Sequence, residues 1–196
     1  MNAATTQDDP IGTQFRATMR KFPATVTIVT AFDGTRDHGM TVTAVTSVSM
    51  SPPSLMVCLN NRTLLHEILL TQADFAVNVL SHTHPDMSEA FSGKVEPQHR
   101  FANGGWQRDP AGMMILPSAH ATVVCRRVAA VPYGTHTIFI GQVRRAHVDD
   151  LTRPLLYAES SYFISHPAND DPSQTLDVWE SFLTDGSVFM RPSGKV

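Results

Sequence analysis

The sequence predicts a mainly β protein, a small antiparallel barrel with peripheral α-helices. Apolar and β-branched runs of strand length recur along the chain, as at residues 25–31, 54–59 and 75–80. Helices do not alternate with these runs in βαβ fashion. Neither G-x-G-x-x-G nor G-x-x-x-x-G-K-[ST] occurs, which disfavours a doubly wound nucleotide-binding fold. An antiparallel barrel accommodates this order of elements better.

Composition narrows the functional class. A net charge of -3 over 196 residues offers no basic surface for nucleic acid or anionic lipid. No apolar run reaches the length of a membrane span, and the N-terminus is polar and acidic instead of signal-like. Cys58 and Cys125 lie in apolar runs without a second ligand at zinc spacing. We therefore expect reduced buried thiols, no metal site and a cytoplasmic location.

The two ends of the chain differ from its body. We expect a disordered N-terminal arm over residues 1–14 and one main domain over residues 15–165, opening with a short amphipathic helix that ends at Pro23. Residues 166–196 form a C-terminal extension whose pattern predicts an amphipathic helix. That helix would pack on the body, the favoured reading, or on a partner subunit.

Turn and cap signals order the elements of the main domain. The Asp33-Gly34 dipeptide predicts that residues 25–31 pair with the strand at 40–50. Asn61 or Thr63 is suited to cap the helix that follows. Further strand-like runs are 54–59, 75–80, 119–130, 136–148, 154–158 and 162–163.

The most informative segment is residues 39–53, which alternates at a period of two. One face is apolar and comprises Met40, Val42, Ala44, Val48 and Met50. The other face carries the hydroxyls of Thr41, Thr43, Ser47 and Ser49. It has no charge, although a solvated strand usually carries Lys, Glu or Arg. The period alone leaves two interpretations open, an exposed polar strand and a surface for a polar, planar or phosphorylated ligand.

Few other residues suggest chemistry. The run from Asn60 to Thr63 lies where a strand meets a helix start, which suits a phosphate as well as simple helix capping. His136 stands at a strand mouth after a Gly turn, where a surface histidine is the commoner case. His82 and His84 have no third ligand in a natural position, so we read them as a loop. Without a catalytic triad or paired carboxylates, the chemistry belongs to a cofactor.

Several motifs, taken in order, resemble the short-chain flavin reductases of two-component monooxygenases. That family includes the reductase partners of 4-hydroxyphenylacetate, phenol and styrene monooxygenases. The matching segments are 22–31, 39–53, 75–80, 91–94, 100–106, 134–143 and 154–157. The resemblance covers about residues 15–165.

This resemblance implies a split β-barrel, antiparallel and Greek-key-like, that forms a homodimer. It implies FMN or FAD bound near the subunit interface, with NADH or NADPH as hydride donor and no Rossmann domain. Direct hydride transfer would reduce the flavin, which would then pass to a separate oxygenase component.

The resemblance also implies roles for individual residues. The isoalloxazine and ribityl chain would be lined by Thr43, Ala44, Val45, Thr46, Ser47, Val48 and Ser49. The flavin phosphate would lie near Asn60, Asn61 and Thr63. The outer flavin edge or adenine side would be bordered by Phe91, Ser92, Gly93 and Lys94. His136 would face the nicotinamide, with Tyr162 nearby.

Two departures from the family pattern motivate alternatives. The family often has Asp where this chain has Thr135, and Arg or Gly where it has residues 159–161. One alternative is a split-barrel module that binds flavin without nicotinamide turnover. The other is an enzyme like pyridoxamine-phosphate oxidase, against which the lack of a matching basic phosphate cluster argues.

Overall fold

The computed structural model describes residues 9–166. The helices are α1 (Pro10–Met19), α2 (Leu64–Thr71) and α3 (Pro85–Glu89). The strands are β1 (Ala24–Thr25), β2 (Thr27–Phe32), β3 (Asp37–Val42), β4 (Val45–Met50), β5 (Pro53–Asn60), β6 (Asp74–Val79), β7 (Gln107–Arg108), β8 (Met114–Ile115), β9 (Ala121–Tyr133), β10 (His136–Val148), β11 (Leu155–Ala158) and β12 (Ser161–Ile164). The C-terminal helix expected within residues 166–196 falls at positions 167–196, outside the described residues.

The mainly β prediction is confirmed, and the strand pairs are antiparallel. Seven strands form the main sheet in the order β3-β2-β6-β9-β10-β5-β4. A second sheet has the order β1-β11-β12, and β7 pairs with β8.

The connection between β3 and β4 shows that the main sheet is rolled into a barrel. These strands are its two edges, yet only Thr43 and Ala44 separate them. Three residue steps span at most about 11 Å, so the two edges must lie side by side. The edges are not paired with each other, and the backbone N–H of Cys58 donates to the carbonyl of Ala44 at 3.0 Å. The barrel is therefore split between β3 and β4.

The prediction of one strand through residues 40–50 is wrong. The segment breaks at Thr43 and Ala44, because its first half pairs with β2 and its second half with β5. Val48 and Met50, expected on a buried face, are 50% and 84% exposed. They lie on an edge strand that this chain's described residues do not cover.

Two predictions made from short sequence signals are confirmed, the turn at Asp33 and the helix cap at Thr63. The turn at Asp33 joins β2 to β3, and the Asp33 carboxylate accepts hydrogen bonds from the backbone N–H groups of Thr35 and Arg36. Thr63 caps α2, since its hydroxyl accepts from the backbone N–H of His66. The Thr63 cap starts α2 next to the end of β5, where the candidate site lies.

The N-terminal boundary needs correction. Residues 10–14, expected within a disordered arm, are the first part of α1. Pro10 stands at the first helical position, where its fixed φ favours the helix and its missing N–H is not needed. None of the residues of α1 is buried.

The barrel interior is apolar and fixes the strands that frame the site. Its buried side chains include Val29, Val57, Leu59, Phe75, Val77 and Phe139. Cys125 belongs to this core, but Cys58 is half-buried instead of buried as expected, because it points away from the core. Both thiols are free.

Two features are absent from residues 9–166, a membrane-spanning helix and a cluster of metal ligands. No helix there is long and apolar enough to cross a membrane. Within the same range, no three His, Cys, Asp or Glu side chains are grouped so as to hold a metal ion.

Candidate functional site

The hydroxyls predicted to share one strand face are divided between two faces. A bulge between Ser47 and Ser49 shifts the β4–β5 register, so that Thr46 opposes Met56 and Ser49 opposes Ser54. Thr46 and Ser49 therefore lie on one face and Ser47 on the other. A period of two cannot reveal a bulge, which is why the sequence placed Ser47 and Ser49 together.

The segment still offers an exposed, uncharged hydroxyl edge. The side chains of Thr43, Thr46 and Ser47 are exposed, and their hydroxyls have no hydrogen-bond partner within residues 9–166. Ala44 and Val48 beside them are exposed, while Val45 and Ser49 are half-buried. Because β4 is an edge strand, alternate backbone N–H and C=O groups also face away from the sheet. This edge can hydrogen-bond a polar, flat ligand.

Part of the side of the main sheet that faces away from the core is free of charge over three strands. Opposed residues of antiparallel strands share a face, so the register places Arg126 opposite Gln142 on this side, and an uncharged set lies nearer the β9–β10 turn. The uncharged set comprises Met56, Cys58, Ala129, Val131, Ile138 and Ile140 and is termed the outer face. All six are half-buried or exposed. Thr46, Asn60 and His136 border it.

One corner of the outer face joins the end of β5 to the start of β10. Asn60 and His136 are direct register partners. The Asn61 backbone N–H donates to the Thr135 carbonyl at 3.0 Å, and its side-chain amide donates to the Gly134 carbonyl at 3.3 Å. The predicted phosphate side and the predicted nicotinamide side thus meet at one corner.

The start of α2 provides groups for an anion. The Asn60 side-chain oxygen accepts from the Arg62 backbone N–H at 2.9 Å, and the Thr63 hydroxyl donates to the Asn60 carbonyl at 2.9 Å. Thr63 is therefore occupied in capping. The exposed Arg62 guanidinium has no partner within the described part of the chain, and it stands beside the positive end of the helix dipole.

A cavity of about 210 Å³ opens beside this helix start. Its walls are Asp37, His38, Gly39, Met40, Leu64, Leu65, Pro97 and Arg100. Arg100 is held in place because its guanidinium donates to the Gly39 carbonyl at 3.1 Å and to the Val95 carbonyl at 3.0 Å. The cavity can extend a binding site from the corner past α2.

His136 is exposed and faces solvent at this corner. Its Nδ1 lies 2.9 Å from the Thr135 hydroxyl. The ring's other nitrogen, Nε2, has no partner within residues 9–166 and can meet a ligand. A neutral hydroxyl beside the ring replaces the carboxylate that the family pattern often places there.

Residues 91–94 divide into a buried ring and an exposed turn. Phe91 is 1% exposed and packs against Phe101 and Trp106 at ring-centroid distances of 5.0 and 5.2 Å. Its side chain therefore cannot border a ligand as expected, because the aromatic cluster encloses it. Ser92, Gly93 and Lys94 are exposed. The Lys94 ammonium pairs with the Glu89 carboxylate at 2.7 Å, a hydrogen bond that raises the lysine pKa.

Tyr162 contacts Ser88 and Tyr157, and its contacts do not include His136. Its hydroxyl donates to the Ser88 hydroxyl at 2.9 Å, and its ring meets Tyr157 edge-on. The Thr41 hydroxyl donates to the backbone carbonyl of Ser88 at 2.7 Å. Tyr162 is thus tied to α3 and β3, and its place beside a nicotinamide stays a prediction.

The hydroxyl edge and the corner at Asn60 and His136 offer groups for binding and orienting a ligand. Their polar side chains are hydroxyls, amides, the Arg62 guanidinium and the exposed His136 imidazole. Sequence reasoning missed two buried residues, Thr137, which contacts Asn61 from the core side, and His66, which contacts Thr137. No local pattern could have revealed them, because the residues involved are 71 and 76 positions apart.

Comparisons with known proteins show which family the chain resembles. The model of the flavin reductase like domain matches residues 19–165. The chain is 62% identical over 160 residues to the reductase component of FADH(2)-dependent resorcinol hydroxylase from Rhizobium sp. (strain MTP-10005), covering 81% of this chain and 89% of the relative. It is 32% identical over 148 residues to FMN reductase (NADH) RutF of Variovorax paradoxus, covering 76% and 82%.

Two solved structures share the fold. The NADH:FAD oxidoreductase SgcE6 of Streptomyces globisporus, in complex with NAD and FAD fragments, superposes with a TM-score of 0.76 at 28% identity, covering 85% of this chain and 100% of that one. BorF, the flavin reductase component of a bacterial two-component tryptophan halogenase, gives 0.74 at 28% identity, covering 80% and 99%.

Proposed function

The chain belongs to the flavin reductase like domain family, and we propose that it is the reductase component of a two-component flavin-dependent monooxygenase. It uses NADH or NADPH to reduce FMN or FAD and passes the reduced flavin to a separate oxygenase. The relative at 62% identity is named as the reductase component of a resorcinol hydroxylase. This supports a partner oxygenase that acts on a small phenolic compound.

The observation that carries the proposal is the exposed hydroxyl edge of β3–β4 running towards the start of α2. Thr43, Thr46 and Ser47 offer unpaired hydroxyls, which suit the heteroatom rim of an isoalloxazine and the hydroxyls of its ribityl chain. Arg62 and the helix start offer donors for its phosphate. The donor set therefore fits a flavin.

The protein's part in the reaction is alignment. A flavin held at this edge would supply the acceptor for a hydride from the nicotinamide coenzyme. Backbone N–H groups on the open side of β4 would stabilise negative charge at the edge of its ring. The free Nε2 of His136 positions the nicotinamide, and no acid or base within the site has to transfer a proton. Holding two reactants in register can supply about 7–11 kcal/mol of the barrier reduction.

We also propose a homodimer formed through the outer face. A two-fold interface pairs a patch with its own copy, so a charge near its centre would face the same charge. The outer face is apolar and uncharged across β5, β10 and β9. Pairing it with a second copy would bury Ile138, Ile140 and Met56 and place His136 at the rim. A cytoplasmic location belongs to the same proposal, since nicotinamide coenzymes are available there.

A steady-state assay tests the function. Purified protein is given NADH or NADPH with FMN, FAD or riboflavin, and nicotinamide oxidation is followed at 340 nm in each combination. We expect turnover with NADH and with FAD or FMN, and weaker turnover with riboflavin because it lacks the phosphate. No oxidation in any combination would refute the reductase. Flavin that is retained without turnover would favour the binding module that the Thr135 departure suggests.

A further inference from the structure

A buried network of hydrogen bonds connects α2 to the exposed turn that carries His136. His66 is 8% exposed, and its Nε2 lies 2.9 Å from the hydroxyl of Thr137, which is 3% exposed. The Thr137 hydroxyl donates to the Asn61 side-chain oxygen at 3.0 Å. Asn61 in turn donates to the carbonyls of Gly134 and Thr135.

The number of protons on each group determines which atom donates in each hydrogen bond of this network. Thr137 has one hydroxyl proton and donates it to Asn61, so its oxygen accepts from an N–H at His66 Nε2. In the neutral ring Nδ1 then carries no proton, and it has no hydrogen-bond partner among residues 9–166. The Asn61 amide is oriented at both ends, because its oxygen accepts from Thr137 while its nitrogen donates to Gly134. Successive hydrogen bonds polarise and strengthen one another.

The position of the β9–β10 turn depends on this hydrogen-bond network. β9 ends at Tyr133 and β10 begins at His136, so the loop is Gly134 and Thr135. All four residues are exposed, and Gly134 has a φ of 55°. Apart from the strand pairing itself, the tip is held by Asn61, and Asn61 is oriented by Thr137. His136 therefore takes its place from side chains on the core side of the sheet.

We propose that His66 and Thr137 are positioning residues for His136 in nicotinamide binding. They act through Asn61 and the Gly134-Thr135 turn, and neither touches flavin or nicotinamide. The inference rests on the proposed reductase function. The alternative is a network that only stabilises the fold, since His66 also packs edge-on against Phe139 at a centroid distance of 5.4 Å.

The test uses variants that keep shape and remove the hydrogen bond. Thr137→Val removes the hydroxyl, Thr137→Ser keeps it, and His66→Phe keeps a ring against Phe139. Thr30→Val is the matched control, because the hydroxyl of Thr30 is fully buried and donates to the Met114 carbonyl away from the site. Urea unfolding of each variant measures the common loss of stability.

The first readout needs neither flavin nor nicotinamide. Amide hydrogen exchange at residues 133–136 is compared among the variants. We expect faster exchange at the turn in Thr137→Val and His66→Phe, and native exchange there in Thr137→Ser and Thr30→Val. Asn61→Ala, an exposed substitution that should fold, is expected to loosen the turn as well. Unchanged exchange in Thr137→Val and Asn61→Ala would overturn the proposal.

The second readout is kinetic. Thr137→Val should raise the KM for nicotinamide about fivefold, the effect of one lost hydrogen bond, with kcat and flavin affinity almost unchanged. In a His136→Ala background, Thr137→Val should have no further effect on KM. An equal rise in both backgrounds would show that the network does not act through His136. If the wild type oxidises no nicotinamide, the reductase function fails, while hydrogen exchange still decides whether the network orders the turn.

Discussion

Asn60 and His136 are direct register partners across β5 and β10. The resemblance to flavin reductases assigned them to different ligands, the flavin phosphate and the nicotinamide. Their adjacency means that one corner of the sheet must serve both ligands. Substitutions there can separate the two roles only if each side chain meets one ligand.

His136→Ala tests this separation. With flavin saturating, we expect the KM for NADH or NADPH to rise about fivefold or more, the loss of roughly one hydrogen bond, about 1 kcal/mol. The flavin dissociation constant, measured by fluorescence quenching, should stay within twofold. His147→Ala is the control, since it removes an exposed histidine from the far end of the same strand. Weaker flavin binding in His136→Ala would place this side chain on the flavin side instead.

The proposed dimer makes Ile140 a sensitive position. Ile140 lies between Met56 and Ala129 on the outer face, so Ile140→Lys would set two ammonium groups near the two-fold axis. We expect light scattering after size exclusion to give about twice the chain mass of 21.5 kDa for the wild type and a single chain for the variant. Leu151→Lys, at a loop residue that is 96% exposed, should leave the dimer intact.

Cys58 reports on the same interface independently. It lies on the outer face, and burial raises its thiol pKa. A dimer should shield it from a thiol reagent at pH 8, and Ile140→Lys should expose it. Cys125, whose pKa burial raises to about 12, should stay unreactive in both proteins. Rapid labelling of Cys58 in the wild type would contradict an interface through this face.

The sequence predicted what depends on neighbouring residues. Thr63 capping α2 and the turn at Asp33 both follow from chemistry within a few positions. The break at Thr43 and Ala44 and the bulge after Ser47 depend on which strand each half of the segment pairs with. The role of Thr137 required two further contacts from distant parts of the chain. Alternation of apolar and polar residues shows which side chains share a face of one strand. It does not show which other part of the protein, if any, covers that face.

The turn at Asp33 should make stability depend on acid pH. The Arg36 backbone N–H, followed by the His38 side chain, lowers the Asp33 pKa from 3.8 to about 2. Because the folded pKa is the lower one, the carboxylate's contribution is present above about pH 4 and is lost as pH falls towards 2. We expect Asp33→Asn to lower the urea midpoint at pH 7 and the difference from wild type to shrink below pH 4. A difference that stays constant down to pH 3 would exclude this linkage.

Gly39 links the aromatic cluster to the site. A Cβ built there would lie 2.5 Å from Cε1 of Phe91 and 3.2 Å from Cζ of Phe101. Phe91 cannot retreat, since it is 1% exposed and Trp106 packs against its ring. Gly39→Ala should therefore lower the free energy of unfolding by about 1–3 kcal/mol through overpacking. It should also weaken flavin binding, because any shift of Phe91 moves residues 92–94.

In a Phe91→Leu background the smaller side chain leaves room, so the methyl group added by Gly39→Ala should destabilise less. Urea unfolding of the four proteins in this cycle measures the coupling, and additive losses would show that the two side chains do not compete for the same space.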